Sequence, residues 1–339
     1  MKRIALGVLM IGLTVSGVYG QKVTKVGTTA APFLSIGVGS RAIGMGGAFV
    51  STADDATALF WNVSGIARLP KNQIVLDHAE WIAGINFDFA GAVWQLGPLG
   101  TLGASFTSLS MGDMERTTEY QPEGTGELFS AGSFAIGLSY ARNLTDRFSI
   151  GFTGKYISEK IFNSGAHGVA LDIGTLYTTP FHDMKIGMSI SNFGTKMQMS
   201  GRDLLVQYDI DPLRAGNNGN LNANLQTDQY DLPLMFRVGV SMNLLRSRSN
   251  HSLLVAVDAL HPSDNVESLN VGTEYRFMDL ISLRAGYKRL FSRDSEEGLT
   301  AGAGFQYTFL GNVGIQLDYA FQSFGRLRNV NRFSFVLMF

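Results

Sequence analysis

From about residue 70 the chain alternates large apolar side chains with small or polar ones, segment after segment. Phe134, Ile136, Leu138 and Tyr140 alternate with Ala135, Gly137, Ser139 and Ala141, and Phe148, Ile150, Phe152 and Tyr156 with Ser149, Gly151, Thr153 and Lys155. Further on, Leu234, Phe236, Val238, Val240 and Met242 are set against Arg237, Gly239, Ser241 and Asn243, and Val313, Ile315, Leu317, Tyr319 and Phe321 against Gln316, Asp318 and Gln322. Successive side chains of a strand point to opposite faces, so a period of two predicts strands with one apolar and one polar face. The charges gather on the polar face: Asp172, Arg237, Asp258, Glu274, Arg276, Arg284, Lys288, Asp318 and Arg332.

The pattern predicts an all-β chain of about fourteen strands, and its connections fall into two sets. Those expected at 97–100, 142–146, 178–183, 246–250, 277–279 and 310–312 are short. Those expected at 111–127, 159–167, 194–231, 261–267, 291–297 and 323–329 are longer, with the tight Ala83-Gly84 hairpin breaking the rule. Short turns at one end and long loops at the other are the asymmetry of a transmembrane antiparallel β-barrel, with periplasmic turns and extracellular loops. In lipid only helices and closed barrels satisfy their own backbone, and past residue 20 no apolar run reaches helix-spanning length. The last strand, with Phe333, Phe335, Leu337 and a final Phe339 opposite Arg332 and Ser334, looks like the terminal strand of a bacterial outer-membrane barrel, the address read by the barrel-assembly machinery. A soluble β-sandwich accounts for neither that ending nor the asymmetry of the connections.

The first twenty residues agree with export. Lys2-Arg3 followed by an apolar stretch and small residues at Val18-Tyr19-Gly20 read as a cleaved signal peptide, residues 1–20. Twenty-seven Lys and Arg against 28 Asp and Glu give no electrostatic footprint for nucleic acid, and the absence of Cys excludes thiolate metal sites and thiol catalysis. Residues suited to a cofactor or metal do not stand out. Asp77-His78, His167, His182, His251 and His261 are candidate bases, but neighbours in a strand point to opposite faces and no Gly-x-Ser-x-Gly elbow is present. Rim or loop histidines, in a protein that is not an enzyme, are the better reading. Gly44-x-Gly46 lacks the flanking strand, helix and acid of a dinucleotide loop.

Residues 21–70 differ in kind from the 71–339 barrel. A Gly-rich stretch read as extended, 33–50, precedes Ser51-Thr52-Ala53-Asp54-Asp55-Ala56, where Thr52 or Asp54 is expected to cap a short helix over 56–60, with Asp55 complementing its dipole and Gly65 permitting a turn. Irregular backbone cannot face lipid, so this segment is expected to plug the lumen, with glycines on the inner faces of the strands leaving room for it. The run FLSIGVGSRAIGMGGAFVSTADDATALFWNVSGIA is similar to the N-terminal signature of the PorV/PorQ family, a branch of the FadL-like outer-membrane barrels. That resemblance implies fourteen strands and an N-terminal hatch. Carried over residue by residue, Gly44, Gly46 and Gly47 are its close-packed glycines, Asp54 and Asp55 its acidic pair, and Asn62 and Gly65 its turn positions, with Trp61 beside them. Family members usually have Pro where this chain has Val63, so a fixed φ is missing from the hatch turn.

By resemblance, the partners are outer-membrane lipid, the type IX secretion translocon, the attachment complex and cargo C-terminal signal domains. The loop 194–231 is long for a connector and mixes Leu204, Leu205, Val206, Tyr208 and Ile210 with Asp209, Asp211 and Arg214, as a partner-binding surface does. The wider FadL-like relatives imply an alternative, a channel for hydrophobic small molecules. Unpaired charges in the lumen would oppose such a path.

Overall fold

The computed structural model describes residues 26–214, 216, 218–245, 250–292, 295–309 and 313–339. The expected signal peptide and the turn at 310–312 lie outside the described residues, as does most of the turn at 246–250.

Fourteen strands form one closed antiparallel barrel. They are β1 Gln73–Glu80, β2 Asn86–Gln95, β3 Thr101–Ser110, β4 Ala131–Thr145, β5 Phe148–Ile161, β6 Ser164–Thr178 and β7 Lys185–Gly194. The second half is β8 Met235–Asn243, β9 His251–Pro262, β10 Ser268–Phe277, β11 Ile281–Leu290, β12 Leu299–Thr308, β13 Gly314–Ser323 and β14 Asn329–Met338. Each strand pairs with its neighbours in sequence, and β14 pairs back onto β1, with Leu76 opposite Phe335 and Ala79 opposite Arg332. Closure removes the edges that lipid could not satisfy.

Sidedness follows the alternation. Leu138, Phe152, Leu317 and Phe333 are exposed on the outer wall, whereas Asp77, Asp172, Arg237, Asp258, Glu274, Arg284, Asp318 and Arg332 are buried on the inner one. Between the two ends, the connections at 96–100, 146–147, 179–184 and 278–280 are short. At the opposite end, 111–130 and 195–234 are long and carry small hairpins of their own, Met114–Glu115 with Leu128–Phe129 and Leu205–Tyr208 with Leu221–Asn224. The long loop expected at 159–167 is instead a two-residue turn, 162–163, because β5 and β6 keep pairing up to Ile161 and Ser164, with Phe162 taking the positive φ the turn demands.

Inside the barrel lies the N-terminal segment. A single turn of 3-10 helix, Pro32–Ser35, leads to α1, Ser40–Gly44, and then to α2, Ala58–Trp61, and a second 3-10 run, Val63–Arg68. Nearly every residue from 37 to 67 is buried, and Val38, Ile43, Phe49, Trp61 and Ile66 share one apolar cluster with Val75, Phe87 and Val93 of the wall. Three local expectations are corrected. The stretch 33–50 is not extended but holds a 3-10 turn and α1. The second helix starts at Ala58, not 56, and neither Thr52 nor Asp54 caps it: Asp55 instead accepts the Thr57 amide at 2.9 Å, and the Thr52 hydroxyl has no partner among the described residues. Gly65 makes no left-handed turn; it sits within the 3-10 run, where a Cβ would strike the Ala53 carbonyl.

Glycines let this segment touch the wall backbone to backbone. A Cβ on Gly44 would lie 3.1 Å from the Gly302 Cα, one on Gly272 or Gly286 would collide with Met45, and one on Gly187 or Gly174 with Val50 and Asn62. Gly46 combines both demands: its φ is +67° and a Cβ would fall 2.8 Å from the Tyr287 amide nitrogen and the Val271 carbonyl. The left-handed conformation alone costs an L-residue about 1–2 kcal/mol. Gly46→Val is therefore expected to lower the temperature at which the folded, fast-migrating form converts to the unfolded form on unheated gels, whereas Gly84→Ala, at a positive φ with open space around it, is expected to lower it less.

Candidate functional site

The inner wall and the N-terminal segment meet through charge. Arg41, on α1, donates from Nε and NH2 to the two oxygens of Glu274 at 2.8 and 3.0 Å, and from NH1 to Asp54 at 2.6 Å and Asp55 at 3.0 Å. Glu274, on β10, also accepts from Arg284 at 2.6 Å and Arg276 at 2.8 Å, and Arg284 reaches on to Asp318 at 2.6 Å. A forked guanidinium matches a carboxylate bidentately, which is why an Arg can hold two strands and a buried segment in one plane. Burial favours the neutral form of Arg41, yet the carboxylates of Asp54, Glu274 and Asp55 outweigh it and hold the guanidinium well above its ordinary pKa.

Two further carboxylates grip the segment's backbone. Asp258 on β9 accepts the amides of Phe49 and Val50 at 2.7 and 2.8 Å through one oxygen. Asp77 on β1 accepts the Gly39 amide at 3.0 Å and the Ser334 hydroxyl at 2.6 Å, and pairs with Arg332 on β14. On the opposite wall, Asn62 donates to the Val50 carbonyl at 2.8 Å and to Thr175 of β6 at 3.0 Å. Trp61 donates to the Val38 carbonyl at 2.9 Å. Of the residues singled out in sequence, Gly44, Gly46, Gly47, Asp54, Asp55, Trp61, Asn62 and Gly65 thus all lie in this one contact zone. Arg41 and its wall partner Glu274 were not paired from sequence, because nothing in the spacing of residues 233 apart joins them.

At the long-loop end a different surface is built. The 195–234 connection is pinned rather than loose: Asp203 accepts the Asn163 amide at 3.0 Å and the Ser164 hydroxyl at 3.2 Å, Ser200 and Gly201 pair with Gly165 and Ser164, and Ala30 donates to the Asp231 carbonyl at 2.9 Å. Beyond those anchors Leu205, Tyr208, Ile210, Leu213 and Leu225 are exposed, Leu213 almost fully at 98%. Leu204 is half-buried at the base, where its carbonyl accepts the Leu225 amide, while Asp211 and Arg214 are exposed and Asp209 half-buried among the apolar tips. Phe333, Phe335 and Phe339 are exposed along the outer wall, with Leu337 half-buried.

A third feature was not foreseen. One residue of β6, Asp172, faces two of β7, Ser191 and Asn192, and Asn192 takes a φ of +65°. This β-bulge is filled by polar contacts: Asp172 accepts the Asn192 amide at 2.8 Å and pairs with Lys155 at 2.8 Å, and Asn192 donates to the Pro233 carbonyl at 2.9 Å. The Asn-Phe-Gly sequence at 192–194 was its one available signal. The histidines are dispersed: His78 on the outer face meets Asp88 at 2.7 Å, His167 meets Tyr156, His251 meets Tyr275 and His261 meets Glu267. None of these contacts joins a base to a nucleophile held by a third group.

A family model described as type IX secretion system protein PorV matches residues 19–203, more than half of the chain. The chain belongs to the PorV family. Among solved structures, this PorV-family barrel is similar to a Pseudomonas aeruginosa FadL homologue, at 12% identity, 90% coverage of this chain and 98% of that one, with a TM-score of 0.51. It is similar also to the Ralstonia pickettii toluene transporter TbuX, at 13% identity, 89% and 97% coverage and a TM-score of 0.54, and to the P. putida toluene transporter TodX, at 12%, 89% and 97%, with 0.53. At such identities the likeness establishes the fold alone, a FadL-like β-barrel. No curated protein sequence matches the chain.

Two expectations follow for this PorV-family protein. Asp258→Ala strands the buried Phe49 and Val50 amides, each at a cost of about 1–3 kcal/mol, while Asp258→Asn keeps an acceptor. Limited proteolysis of the N-terminal segment is expected to be faster for the Ala variant than for the Asn variant. Desolvation pushes the Asp203 carboxyl up, but hydrogen bonds from Asn163 and Ser164, with the Arg202 charge, together outweigh it and hold the group below its ordinary pKa. A depressed carboxyl stabilises above its unfolded pKa and stops doing so as pH falls through the folded value. Cleavage of the 195–234 loop is therefore expected to rise as pH drops through the acid range, and Asp203→Asn is expected to flatten that rise.

Proposed function

We propose that this barrel serves type IX protein secretion by binding secreted polypeptides, through their C-terminal signal domains, at its long-loop end. The observation that carries the reading is the 195–234 loop of a PorV-family chain, anchored at its base and presenting Leu205, Tyr208, Ile210 and Leu213 to solvent among Asp209, Asp211 and Arg214. A contiguous exposed apolar surface rimmed by polar groups is what a protein partner covers. On this reading the long loops are extracellular, the segment 21–70 is a hatch that stays in place, residues 1–20 are a cleaved export signal, and Phe333, Phe335, Leu337 and Phe339 are the terminal-strand address for the barrel-assembly machinery. Translocon and attachment complex are the neighbours the type IX family implies.

Passage of a hydrophobic small molecule, as in the toluene transporters TbuX and TodX, gains less support. The lumen is filled by residues 31–69 and lined by paired ions, and an apolar solute gains little from displacing either. Detergent extracts supply the test. Affinity purification of the intact barrel is expected to recover secretion components or a cargo signal domain, and removing residues 205–224 is expected to abolish cargo recovery while heat-modifiable migration persists. Recovery of no such partner, with saturable uptake of a hydrophobic compound into liposomes, would assign the protein to transport.

A further inference from the structure

Among the described residues, Arg237 is a buried luminal cation with an unpartnered nitrogen and, unlike Arg276 and Arg332, no carboxylate at ion-pair distance. Arg237 on β8 is 96% buried, since only 4% of its surface is exposed; NH1 donates to the bulge residue Ser191 at 2.9 Å, and Nε has no hydrogen-bond partner among the described residues. No described carboxylate pairs with it. Asp172 binds Lys155 and Asn192, and Asp258 takes the Phe49 and Val50 amides through one oxygen, so both attract Arg237 only from beyond ion-pair distance. The guanidinium lies 5.5 Å from the ring centroids of both Phe60 and Trp61, which fix its plane. A buried cation of this kind is costly unless something completes it.

That side chain lines a cleft of about 130 Å³ at the long-loop mouth, between Trp61 and Ser35 of the N-terminal segment and the upper ends of β8 to β11. Lys288 and Arg289 stand on the far wall, where Glu297 takes both of them at 2.6 and 2.8 Å, and Asp264 on the rim accepts the Thr29 hydroxyl at 2.9 Å. Among the described residues that line the cleft, three cations face two carboxylates.

We propose that this cleft is a binding site for a single carboxylate carried by a polypeptide that enters from the long-loop end, with Arg237 as its partner. Charge and size both set the ligand. A buried guanidinium with an unpartnered Nε calls for an anionic acceptor, and the planar fork of an arginine suits a carboxylate. Pockets for whole small-molecule ligands run to about 300–1,000 Å³, so a cleft this small admits a side chain or a chain terminus rather than an entire hydrophobic molecule. The identity of the carrier rests on the secretion reading given above; the carboxylate site itself does not.

Trp61 beside Arg237 supplies the readout. In a Trp81→Phe, Trp94→Phe barrel held in detergent, Trp61 emission is followed while three capped peptides are titrated: acetyl-Gly-Glu-Gly-amide, its Gln counterpart, and acetyl-Gly-Gly-Gly with a free C-terminal carboxylate. The expected result is a saturable change with the Glu peptide, the free-terminus peptide or both, which tells side chain from chain end, and none with the Gln peptide. Arg237→Gln, checked for heat-modifiable migration, is expected to weaken that binding at least tenfold. An equal response to the Gln peptide, unaltered binding in Arg237→Gln, or tighter binding of inorganic phosphate would overturn the site; this comparison of peptides needs no folded variant at position 237. Tighter binding of decanoate than of either peptide would overturn the polypeptide carrier. Failure of the co-purification described above, with Glu-peptide binding intact, would remove the carrier and leave the carboxylate site standing.

Discussion

Ionised side chains line a narrow lumen at great cost unless they meet opposite charges or amides, and the Arg41 to Glu274 pair is where most of them are tied together. Glu274 is approached by three arginines, two from the wall and one from the N-terminal segment, and Arg41 in turn gathers Asp54 and Asp55. Remove the segment and Glu274 loses one arginine, while Asp77 and Asp258 lose the amides they accept. At Glu274, Asp77 and Asp258 the wall is thus charged in a pattern that its own N-terminal segment completes, so the segment is part of the barrel's stability as much as a filler of its space.

Glycine makes that contact close enough to work. Hydrogen bonds from main-chain amides to Asp258 and Asp77 require the segment to run against the strands with no side chain between them: Gly44 of α1 meets Gly302 of β12, Gly46 meets Gly286 of β11, and Met45 lies on Gly272 of β10. Where the glycines stop, polar length takes over: Asn62 reaches the Thr175 carbonyl and Arg68 reaches Ser149 and Leu176. Close packing on one side and long polar arms on the other hold a short-helix segment of little intrinsic stability in one place.

Much of this was legible in the chain because a period of two is unambiguous when one face meets lipid. The inward set headed by Arg237, Glu274 and Arg284 and the outward set of Phe333, Phe335 and Leu317 were both placed by alternation alone. What alternation could not reveal was anything set by pairing across distance. The two-residue turn at 162–163 was hidden because β5 and β6 carry polar residues to their tips, so the pattern there resembles a loop. The bulge at Asn192 adds one residue to one strand, which local sequence records only as a break in phase. Helix starts were misplaced for the same reason: Asp54 looks like a cap until Arg41, folded back from thirteen positions earlier, claims it.

The place where the cylinder shuts is also a place where its contents are held. Asp77 stands on the first strand, Ser334 and Arg332 on the last, and the Gly39 and Ser40 amides are bound between them, the latter by Ser334 at 2.6 Å. A wall zipped around nothing would leave that seam with donors and acceptors facing a void. Loading the cylinder and sealing it are therefore thermodynamically one event, and an empty tube is a defective product rather than a resting state.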